Sequence, residues 1–517
     1  MVNTIKNKIN QFLNIGTNKY NCLVSLIIVF IIGFISYSAF IVYGFNSPDG
    51  VLEGMHYYTN QGWAIAGCGR WFLVAIDYLH ANLVFPWLTI TECLFVNWLS
   101  AHTICKVLKI ENRWSYYIIC AFFSVLPPLI EMYTYTNSAL SYCVSILFSI
   151  LFVYINSYKN KYLIPISGLF LGCAMGSYQS QIGAAVGLTL LLIIIKLIEN
   201  EKDILLFTII SLISGIFGLI VYIVGLNLFL HLFNLVLFSR AASFSLAEVF
   251  SNFSTRFVEM YKIFFEVFNQ ITLKRHIVYL IILIIVVLEI LVIIYNLIKM
   301  KKYLNAILVV IIVILLPVAL NIIGIILPSF SVSPMMQFPN YIIIPFAICL
   351  LKYIVSKVKY VSLIILNLCV IFITWTYILS ANATYDSYRM SYNLYKTQFS
   401  DAMEEVFKLE NYTANSTRII VIGRPSDTVL RENIDIYNYG INLYHNLLYW
   451  ETTDLDPSTT NKYIISEFGI DPGIMEYDEY VAFFNLDECL NMPSWPQEGS
   501  VKMVDGNAVI KFSEVYE

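Results

Sequence analysis

The feature that most constrains this chain is a series of long apolar segments separated by short polar connections. A helix that crosses a bilayer needs about 20 apolar residues, because each residue adds only about 1.5 Å along the axis. By that criterion the sequence predicts about eleven spanning segments. They lie near residues 22–44, 84–105, 115–130, 138–156, 162–177, 182–198, 204–229, 277–298, 303–327, 340–356 and 360–380. Because 58% of the 517 residues are hydrophobic and only 13% are charged, we predict an all-α polytopic membrane protein.

The basic residues indicate how these segments are oriented, since cytoplasmic loops of membrane proteins carry an excess of Lys and Arg. With the N-terminus in the cytoplasm, the inner connections hold 16 basic residues and the outer loops before residue 381 hold 6. The other 9 of the 31 lie beyond residue 380. This distribution predicts a cytoplasmic N-terminus and places both the loop after the first span and the C-terminal tail outside the cytoplasm.

The composition changes after residue 380, which divides the chain into a transmembrane domain, 1–380, and a polar tail, 381–517. The tail is predicted to be a small extracytoplasmic α/β domain. It combines a helix over 383–407, strands over 418–422 and 462–466, and a hairpin of 501–504 with 508–512 turned at Asp505-Gly506. Within the transmembrane domain, loop 230–276 has an amphipathic pattern that predicts a helix on the membrane surface with Arg256 on its polar face.

The ten cysteines do not form a recognisable framework. Seven of them lie in or at the ends of apolar runs, and the sequence contains no Cys-x-x-Cys pair or Cys/His cluster with ligand spacing. We therefore expect neither a disulfide scaffold nor a structural zinc site.

The loop from 45 to 82, which follows the first span, holds the densest group of chemically useful residues in the transmembrane domain. Asp49 and Glu53 are four residues apart and close to the bilayer, where a partly shielded carboxylate has a raised pKa and can act as a general base. The alternative is that Asp49, after a proline, belongs to an ordinary turn. Arg70 is the only cation of the loop and can bind a phosphate through two hydrogen bonds. An arginine reaching lipid headgroups beside an interfacial tryptophan is the competing interpretation.

Other residues are candidates for lining the same cavity. Trp63 and Trp71 can stack on a sugar, although interfacial tryptophans commonly form an aromatic belt. Further candidates on outer loops are Glu131, Tyr133, Tyr178 and Gln179. Glu92 lies within an apolar span and is either functional or a neutral, hydrogen-bonded carboxylic acid.

Taken in order, these motifs resemble a known family. They are an acid-bearing loop after the first span (SPDGVLEG), a Gly-Trp to Gly-Arg-Trp run over 62–71, a YTYT loop over 133–136, a Gly-x-Tyr-Gln tip over 176–179 and a tail that opens with ANATY at 381–385. The chain is similar to the GtrII-type bacterial glucosyltransferases, which belong to the GT-C class of membrane glycosyltransferases. The family often has adjacent acids after the first span. Here Gly50 follows Asp49 and Glu53 comes a turn later, so the choice of base stays open.

The resemblance implies a GT-C-like fold and a set of substrates. The donor would be a hexose, glucose by preference, on undecaprenyl phosphate, and the acceptor a surface polysaccharide such as O-antigen, teichoic acid or capsule. The base would be Asp49 or Glu53, and Arg70 would meet the charge of the leaving phosphate. A monophosphate needs less neutralisation than a diphosphate and no Asp-x-Asp pair lies near the loop, so no metal or other cofactor is expected. The expected surroundings are membrane lipid, with no nucleic-acid partner.

Two other classes of protein fit a many-span chain. A transporter or flippase for lipid-linked sugars would show inverted repeats and paired intramembrane charges, whereas here most acids lie outside the spans. A polysaccharide polymerase acts on diphosphate-linked substrates and would use basic outer loops, whereas loop 328–340 contains no cation.

Overall fold

The computed structural model describes residues 20–44, 62–80, 83, 85–238, 246–268, 275–326, 333–354, 356–426, 428–438, 457–473, 475 and 477–513. Nine helical segments within these residues are long and apolar enough to cross a membrane, and they run from Asn21–Tyr43 to Val358–Val406. The protein is therefore an all-α polytopic membrane protein with a small C-terminal sheet. The predicted second span is a 22-residue helix that is too polar to be one of these nine, and the number of about eleven spans stays a prediction.

The helices of the membrane part follow one another with short connections. In chain order they are α1 (Tyr20–Tyr43), α2 (Trp71–Leu79), α3 (Pro86–Val107), α4 (Arg113–Phe123), α5 (Pro127–Thr134), α6 (Ala139–Asn156), α7 (Ile164–Tyr178), α8 (Ile182–Glu199), α9 (Ile204–Leu232), α10 (Leu246–Ser251), α11 (Phe253–Phe268), α12 (Arg275–Lys299), α13 (Tyr303–Leu320), α14 (Ile323–Ile326), α15 (Ile343–Leu350) and α16 (Ser356–Val406). Short 3₁₀ turns link several of them, at Lys161–Leu163, Gln179–Gln181, Pro334–Ile342 and Leu351–Tyr353.

Local sequence signals explain where several helices begin. Pro86 and Pro127 occupy the first positions of α3 and α5, where a missing N–H costs nothing because that group has no partner within a helix. The Asn112 side chain caps α4 by accepting hydrogen bonds from the backbone N–H groups of Trp114 and Ser115, each at 3.0 Å. These starts depend on a few neighbouring residues and are readable from sequence.

One end of the bundle gathers the connections that the charge distribution assigns to the cytoplasm. Lys109 donates to Glu199 at 3.2 Å, which joins the α3–α4 connection to the end of α8. Lys159 and Lys196 both pair with Glu201, at 2.6 Å and 2.8 Å. These ion pairs tie together connections that lie up to 90 residues apart in the chain.

The other end is called here the first-loop end, because α1 ends there, α2 lies there and α3 begins there. The turn between α7 and α8 reaches the segment before α2, where Gln179 Nε2 donates to the Cys68 carbonyl at 2.7 Å. The start of the Pro334–Ile342 turn also lies at this end, since Gln181 Nε2 donates to the Met335 carbonyl at 3.2 Å. Loops assigned by sequence to one side of the membrane therefore meet at one end of the bundle.

Two features of the membrane part differ from the sequence expectation. The last span and the predicted helix at 383–407 form one continuous 51-residue helix, α16, so the described chain has no break at residue 380. The division into domains 1–380 and 381–517 stays a prediction. The amphipathic segment of loop 230–276 is helical as expected in α11, but Arg256 is buried and its guanidinium donates to the Ile325 carbonyl. Its assignment to the polar face was wrong, because a carbonyl at the end of α14 offers the guanidinium a buried partner.

The tail contains a three-stranded sheet with the order β1–β3–β2, formed by β1 (Ile419–Ile422), β2 (Val501–Val504) and β3 (Asn507–Lys511). The predicted hairpin is confirmed: β2 and β3 are antiparallel, with Val504 opposite Asn507 across the Asp505-Gly506 turn. β1 pairs with β3 in parallel. Four helices of the tail are described, α17 (Thr428–Asn433), α18 (Pro457–Phe468), α19 (Tyr477–Phe484) and α20 (Asp487–Leu490), with a 3₁₀ turn at Asp435–Asn438.

The strand predicted at 462–466 was wrong, because this segment lies inside α18. Its β-branched residues are typical of a strand, but Pro457 opens a helix and Tyr463 and Phe468 both pack against Phe399 of α16. Tertiary packing of one helical face therefore outweighed the local strand preference.

Candidate functional site

A π-helical turn and a glycine set the direction of Arg70. After the turn Trp63–Gly67, Gly69 has a φ of +69°, a left-handed conformation that favours glycine. A Cβ at this position would also lie 2.6 Å from the Tyr222 hydroxyl, so there is no room for a side chain. The Arg70 N–H donates to the Ala64 carbonyl at 2.7 Å. Arg70 therefore leaves a fixed turn immediately before α2 begins.

The half-buried Arg70 guanidinium lies in an aromatic environment formed by residues from two distant helices. Nη1 donates to the Tyr142 hydroxyl at 3.0 Å. The guanidinium carbon is 4.7 Å from the centre of the Tyr178 ring and 5.6 Å from that of Tyr142, and the two rings are 4.5 Å apart. Cation–π contacts of this kind hold a guanidinium in one orientation without neutralising its charge. We call Arg70, Tyr142 and Tyr178 the arginine cage. Tyr178 was among the sequence candidates, whereas Tyr142 was missed.

Gln179, also predicted at the site, holds the loop rather than extending away from it. Its Nε2 donates to the Cys68 carbonyl and, at 3.2 Å, to the Tyr222 hydroxyl. Both contacts lie next to Gly69. Gln179 therefore links α7 and α9 to the segment that carries Arg70.

The two predicted tryptophans have different surroundings. Trp71 is 8% exposed, and its ring packs against Gly176 and Gly225. A Cβ atom at either glycine would lie within 2.7 Å of the ring, so a larger residue would clash with it. These glycines of α7 and α9 leave space for the indole, which anchors the start of α2. Trp63 is 44% exposed and contacts Phe238 at 5.6 Å between ring centres. Of the two, only Trp63 presents a substantial surface on which a sugar can stack.

Glu131 and Tyr133 lie in the interior beneath the first-loop end. Glu131 is 1% exposed, and its Oε2 accepts the Met335 N–H at 2.8 Å, at the start of the Pro334–Ile342 turn. The Tyr133 hydroxyl accepts from Asn97 Nδ2 at 2.7 Å, and its ring packs on Tyr37 at 4.7 Å. These contacts give both side chains a role in holding helices and loops together. Their predicted role in substrate binding stays a prediction.

Asp49 and Glu53, the predicted bases, lie outside the described residues. The described chain nearest to them is the end of α1 at Tyr43 and Gly44, and then the turn at Trp63. Among the residues that the structure describes, no three His, Cys, Asp or Glu side chains lie close enough together to hold a metal ion.

Polar side chains are concentrated inside the first-loop end. At this end, the buried hydroxyl and amide side chains on or beside α6, α7 and the turn between α7 and α8 include Ser138, Ser141, Ser145, Ser177, Ser180 and Gln181. Ser145 donates to the carbonyls of Ala174 and Tyr178, each at 2.9 Å. The hydroxyls of Ser141 and Ser177 make no hydrogen bond to any residue that the structure describes. Since buried polar groups are usually paired, this interior is suited to a polar ligand such as a sugar.

The structure also draws attention to two further acids, Asp77, which the sequence analysis missed, and Glu92, which it left open. Asp77 of α2 is 1% exposed, and neither of its carboxyl oxygens is hydrogen-bonded to a described residue. Burial raises the pKa of Asp77 to about 9. Glu92 of α3 pairs with His80, just after α2, at 3.3 Å. The available signal for Asp77 was its position in an otherwise apolar run, seven residues after Arg70.

Comparison with known families decides the class of the protein. The family model described as Glucosyl transferase GtrII matches residues 47–344. The chain belongs to the GtrII glucosyltransferase family. The match covers more than half of the chain and confirms the resemblance seen in its motifs. It includes the arginine cage, Glu131 and Asp77, and leaves out all of α16 and the sheet. No curated protein matched the chain, and no solved structure did. The protein is therefore a membrane glycosyltransferase.

Proposed function

We propose that this GtrII glucosyltransferase moves glucose from undecaprenyl phosphate to a surface polysaccharide on the outer face of a bacterial cytoplasmic membrane. The acceptor class is O-antigen, teichoic acid or capsule. In this orientation the N-terminus is cytoplasmic, and the first-loop end and the C-terminal tail face outwards, as the distribution of basic residues predicts.

The arginine cage is the observation that carries this proposal. A guanidinium fixed by Tyr142 and Tyr178 keeps its charge in a half-buried place, where electrostatic interactions are stronger than in bulk water. A planar guanidinium matches a phosphate better than an ammonium does, because it donates two parallel hydrogen bonds. The polar interior beside it can take the hydroxyl groups of the transferred sugar.

The proposed reaction is a direct displacement at the anomeric carbon. The hydroxyl oxygen of the acceptor forms a bond to that carbon, while the bond from carbon to the phosphate oxygen breaks and its electron pair goes to the prenyl phosphate. The carboxylate of Asp49, or of Glu53, takes the proton of the acceptor hydroxyl. Arg70 meets the negative charge that develops on the leaving phosphate.

An apolar groove at the same end supports a lipid-linked donor. It has a volume of about 450 Å³ and lies between α1, α3 and α6, lined by Phe30, Thr91, Glu92, Phe95, Val96 and Leu140. Except for Thr91 and Glu92 its lining is apolar, as the chain of a prenyl phosphate requires. Glu92 links this groove to the end of α2 through His80.

The proposal is tested by mass analysis of the surface glycan from a strain lacking the protein. We expect the loss of one hexose branch per repeat, with long chains intact. Loss of all long chains would instead indicate a polymerase, and loss of the branch with the lipid-linked sugar accumulated on the cytoplasmic leaflet would indicate a transporter.

Complementation of that strain then tests the base. We expect Asp49→Asn or Glu53→Gln to abolish branching while the protein accumulates normally in the membrane, because an amide cannot take the proton. Asp478→Asn, at an exposed position of the tail, is the matched control and should restore branching fully. Full branching by both Asp49→Asn and Glu53→Gln would remove these carboxylates from the mechanism.

A further inference from the structure

Burial of the Asp77 carboxyl group costs free energy that no described contact offsets. Asp77 is 1% exposed. Its neighbours on the helix, Leu73 and Val74 one turn earlier and Ile76 directly before it, are buried as well. Neither carboxyl oxygen makes a hydrogen bond to a residue that the structure describes. An isolated polar group in such surroundings destabilises the fold unless a partner satisfies it. Carboxyl groups kept in this state are typical of ligand sites, where the ligand is the partner.

Asp77 and Arg70 lie almost two helical turns apart along the direction of α2. Arg70 precedes the helix with a non-helical φ of −101° and ψ of 61°, so its direction is set by the turn and by Tyr142. Leu73 and Val74, four and three residues before Asp77, are buried and show that this face of α2 points to the interior. Seven residues of helix span about 10 Å along the axis.

Both ends of α2 are fixed, so this separation is not free to change. At the start, Trp71 packs against Gly176 and Gly225. At the end, His80 Nε2 lies 3.3 Å from Glu92 of α3. Asp77 on this helix and Arg70 in the fixed turn immediately before it are therefore held at a set separation, which is a requirement for discriminating between ligands of different length or shape.

An axial separation of about 10 Å between the two backbone positions is of the size of one sugar residue with a hydrogen bond at each end. If Arg70 holds the phosphate at the anomeric position, a group at Asp77 meets hydroxyls on the far side of the hexose ring. A carboxylic acid that stays protonated can both donate to and accept from a sugar hydroxyl. The pKa of about 9, which burial produces, keeps the acid in this neutral form at pH 7.

We propose that Asp77 binds a hydroxyl of the transferred hexose and, with Arg70, measures the length of the hexosyl phosphate. This inference rests on the proposed donor, a prenyl phosphate carrying the sugar. It makes Asp77 a determinant of sugar specificity, separate from the base and from the phosphate site.

The test compares the binding of two probes to the purified full-length protein in detergent: a short-chain prenyl phosphate with and without a glucosyl group. The ratio of the two dissociation constants isolates the contribution of the sugar. We expect Asp77→Val to reduce that ratio by about tenfold, because one hydrogen bond in a buried site is lost, and to leave binding of the unglucosylated probe within about twofold. Arg70→Ala should weaken the binding of both probes.

Two further measurements keep the outcome decisive. Asp77→Val should melt at the wild-type temperature or above it, since an unpaired carboxyl is replaced by an apolar group of similar size. Glu289→Gln is the matched control, because Glu289 of α12 is 2% exposed and likewise lacks a hydrogen-bond partner among the described residues. It should leave the ratio unchanged. A wild-type ratio in Asp77→Val would overturn the inference, and so would an Asp77→Val protein that fails to fold together with a folded Asp77→Leu variant that has a wild-type ratio. Failure of the wild-type protein to bind either probe would instead count against the proposed donor.

Discussion

Replacement of Arg70 tests the proposed phosphate site most directly. A unit charge about 4 Å from a phosphate charge interacts with it by about 4 kcal/mol at an effective dielectric constant of about 20, which applies to a partly exposed site. Some of this interaction is already present in the bound donor, and only the part that grows as the leaving group departs accelerates the reaction. Removal of one preorganised donor to a developing anion lowers kcat by about 10²–10³-fold in enzymes of known mechanism. We therefore expect Arg70→Ala to lower kcat/KM by about 10²–10³-fold.

Arg70→Lys separates charge from geometry. An ammonium retains the positive charge but has no planar fork, and it loses the stacked arrangement over Tyr178, 4.7 Å from the guanidinium carbon in the native protein. We expect an activity between those of the wild type and Arg70→Ala. A lysine variant as active as the wild type would show that only charge matters at this position.

The assay is the initial rate of transfer of labelled glucose from prenyl phosphate in proteoliposomes, with each variant normalised to its amount in the membrane. Arg113→Ala is the matched control. Arg113 also stacks on an aromatic ring, with its guanidinium carbon 5.2 Å from the centre of the Trp114 ring, but it lies at the start of α4, at the opposite end of the bundle. We expect this variant to keep wild-type activity. If Arg70→Ala is within threefold of wild type at equal amounts of folded protein, the arginine cage is not the phosphate site.

The remaining predictions concern the structures that support the site. Gly69→Ala should lose about 1–3 kcal/mol of stability and most of its activity, because φ is +69° and the new Cβ would meet the Tyr222 hydroxyl. Adding Tyr222→Phe to this variant should restore part of both. The melting temperature and the initial rate of transfer measure the two effects. Glu131→Ala should lower the melting temperature by the equivalent of about 1–3 kcal/mol, because the Met335 N–H loses its acceptor. Glu131→Gln should lose less stability, because its amide oxygen can still accept. A Glu131→Gln protein of normal stability but raised KM would instead favour contact between Glu131 and the substrate. Burial alone would raise the pKa of Glu201, but hydrogen bonds from two lysines outweigh it and lower the pKa from 4.5 to about 2. The stability that the Glu201 carboxylate provides is therefore complete above about pH 4.5 and is lost as pH falls towards 2. The Glu201→Gln protein should be about 1–2 kcal/mol less stable than the wild type at pH 7. Its free energy of unfolding should fall less than that of the wild type on acidification, as thermal melts at several pH values can show.

The sequence alone determined most of the architecture. Long apolar segments require helices in a membrane, because a bilayer offers no partner for unpaired backbone groups. The tail hairpin followed from an Asp-Gly turn between two strand-like runs, and it is present in the structure with the predicted turn. The order of short motifs also identified the family. All of these depend on residues close together in the chain, or on composition.

The roles of individual side chains at the site could not be obtained in this way. Arg70 was predicted as an anion ligand, but its orientation depends on Tyr142, which is 72 residues away. Trp71 was predicted as a sugar platform, which stays a prediction, and its position depends on packing against glycines of two other helices. Glu131 was predicted to line the cavity and holds the backbone of a turn 204 residues further along the chain. Each outcome depends on which helix faces which.

The tertiary structure alone revealed Asp77 as a candidate and turned Arg256 inwards. In sequence, Asp77 is one acid in an apolar run, and no local pattern shows whether its carboxyl will meet water, a cation or an apolar wall. Hydrophobic periodicity specifies that a segment is a helix and that it must be buried or surrounded by lipid. It does not specify the partner of each face, because the free energy of burying a polar side chain depends on hydrogen-bonding groups that packing brings from elsewhere in the chain.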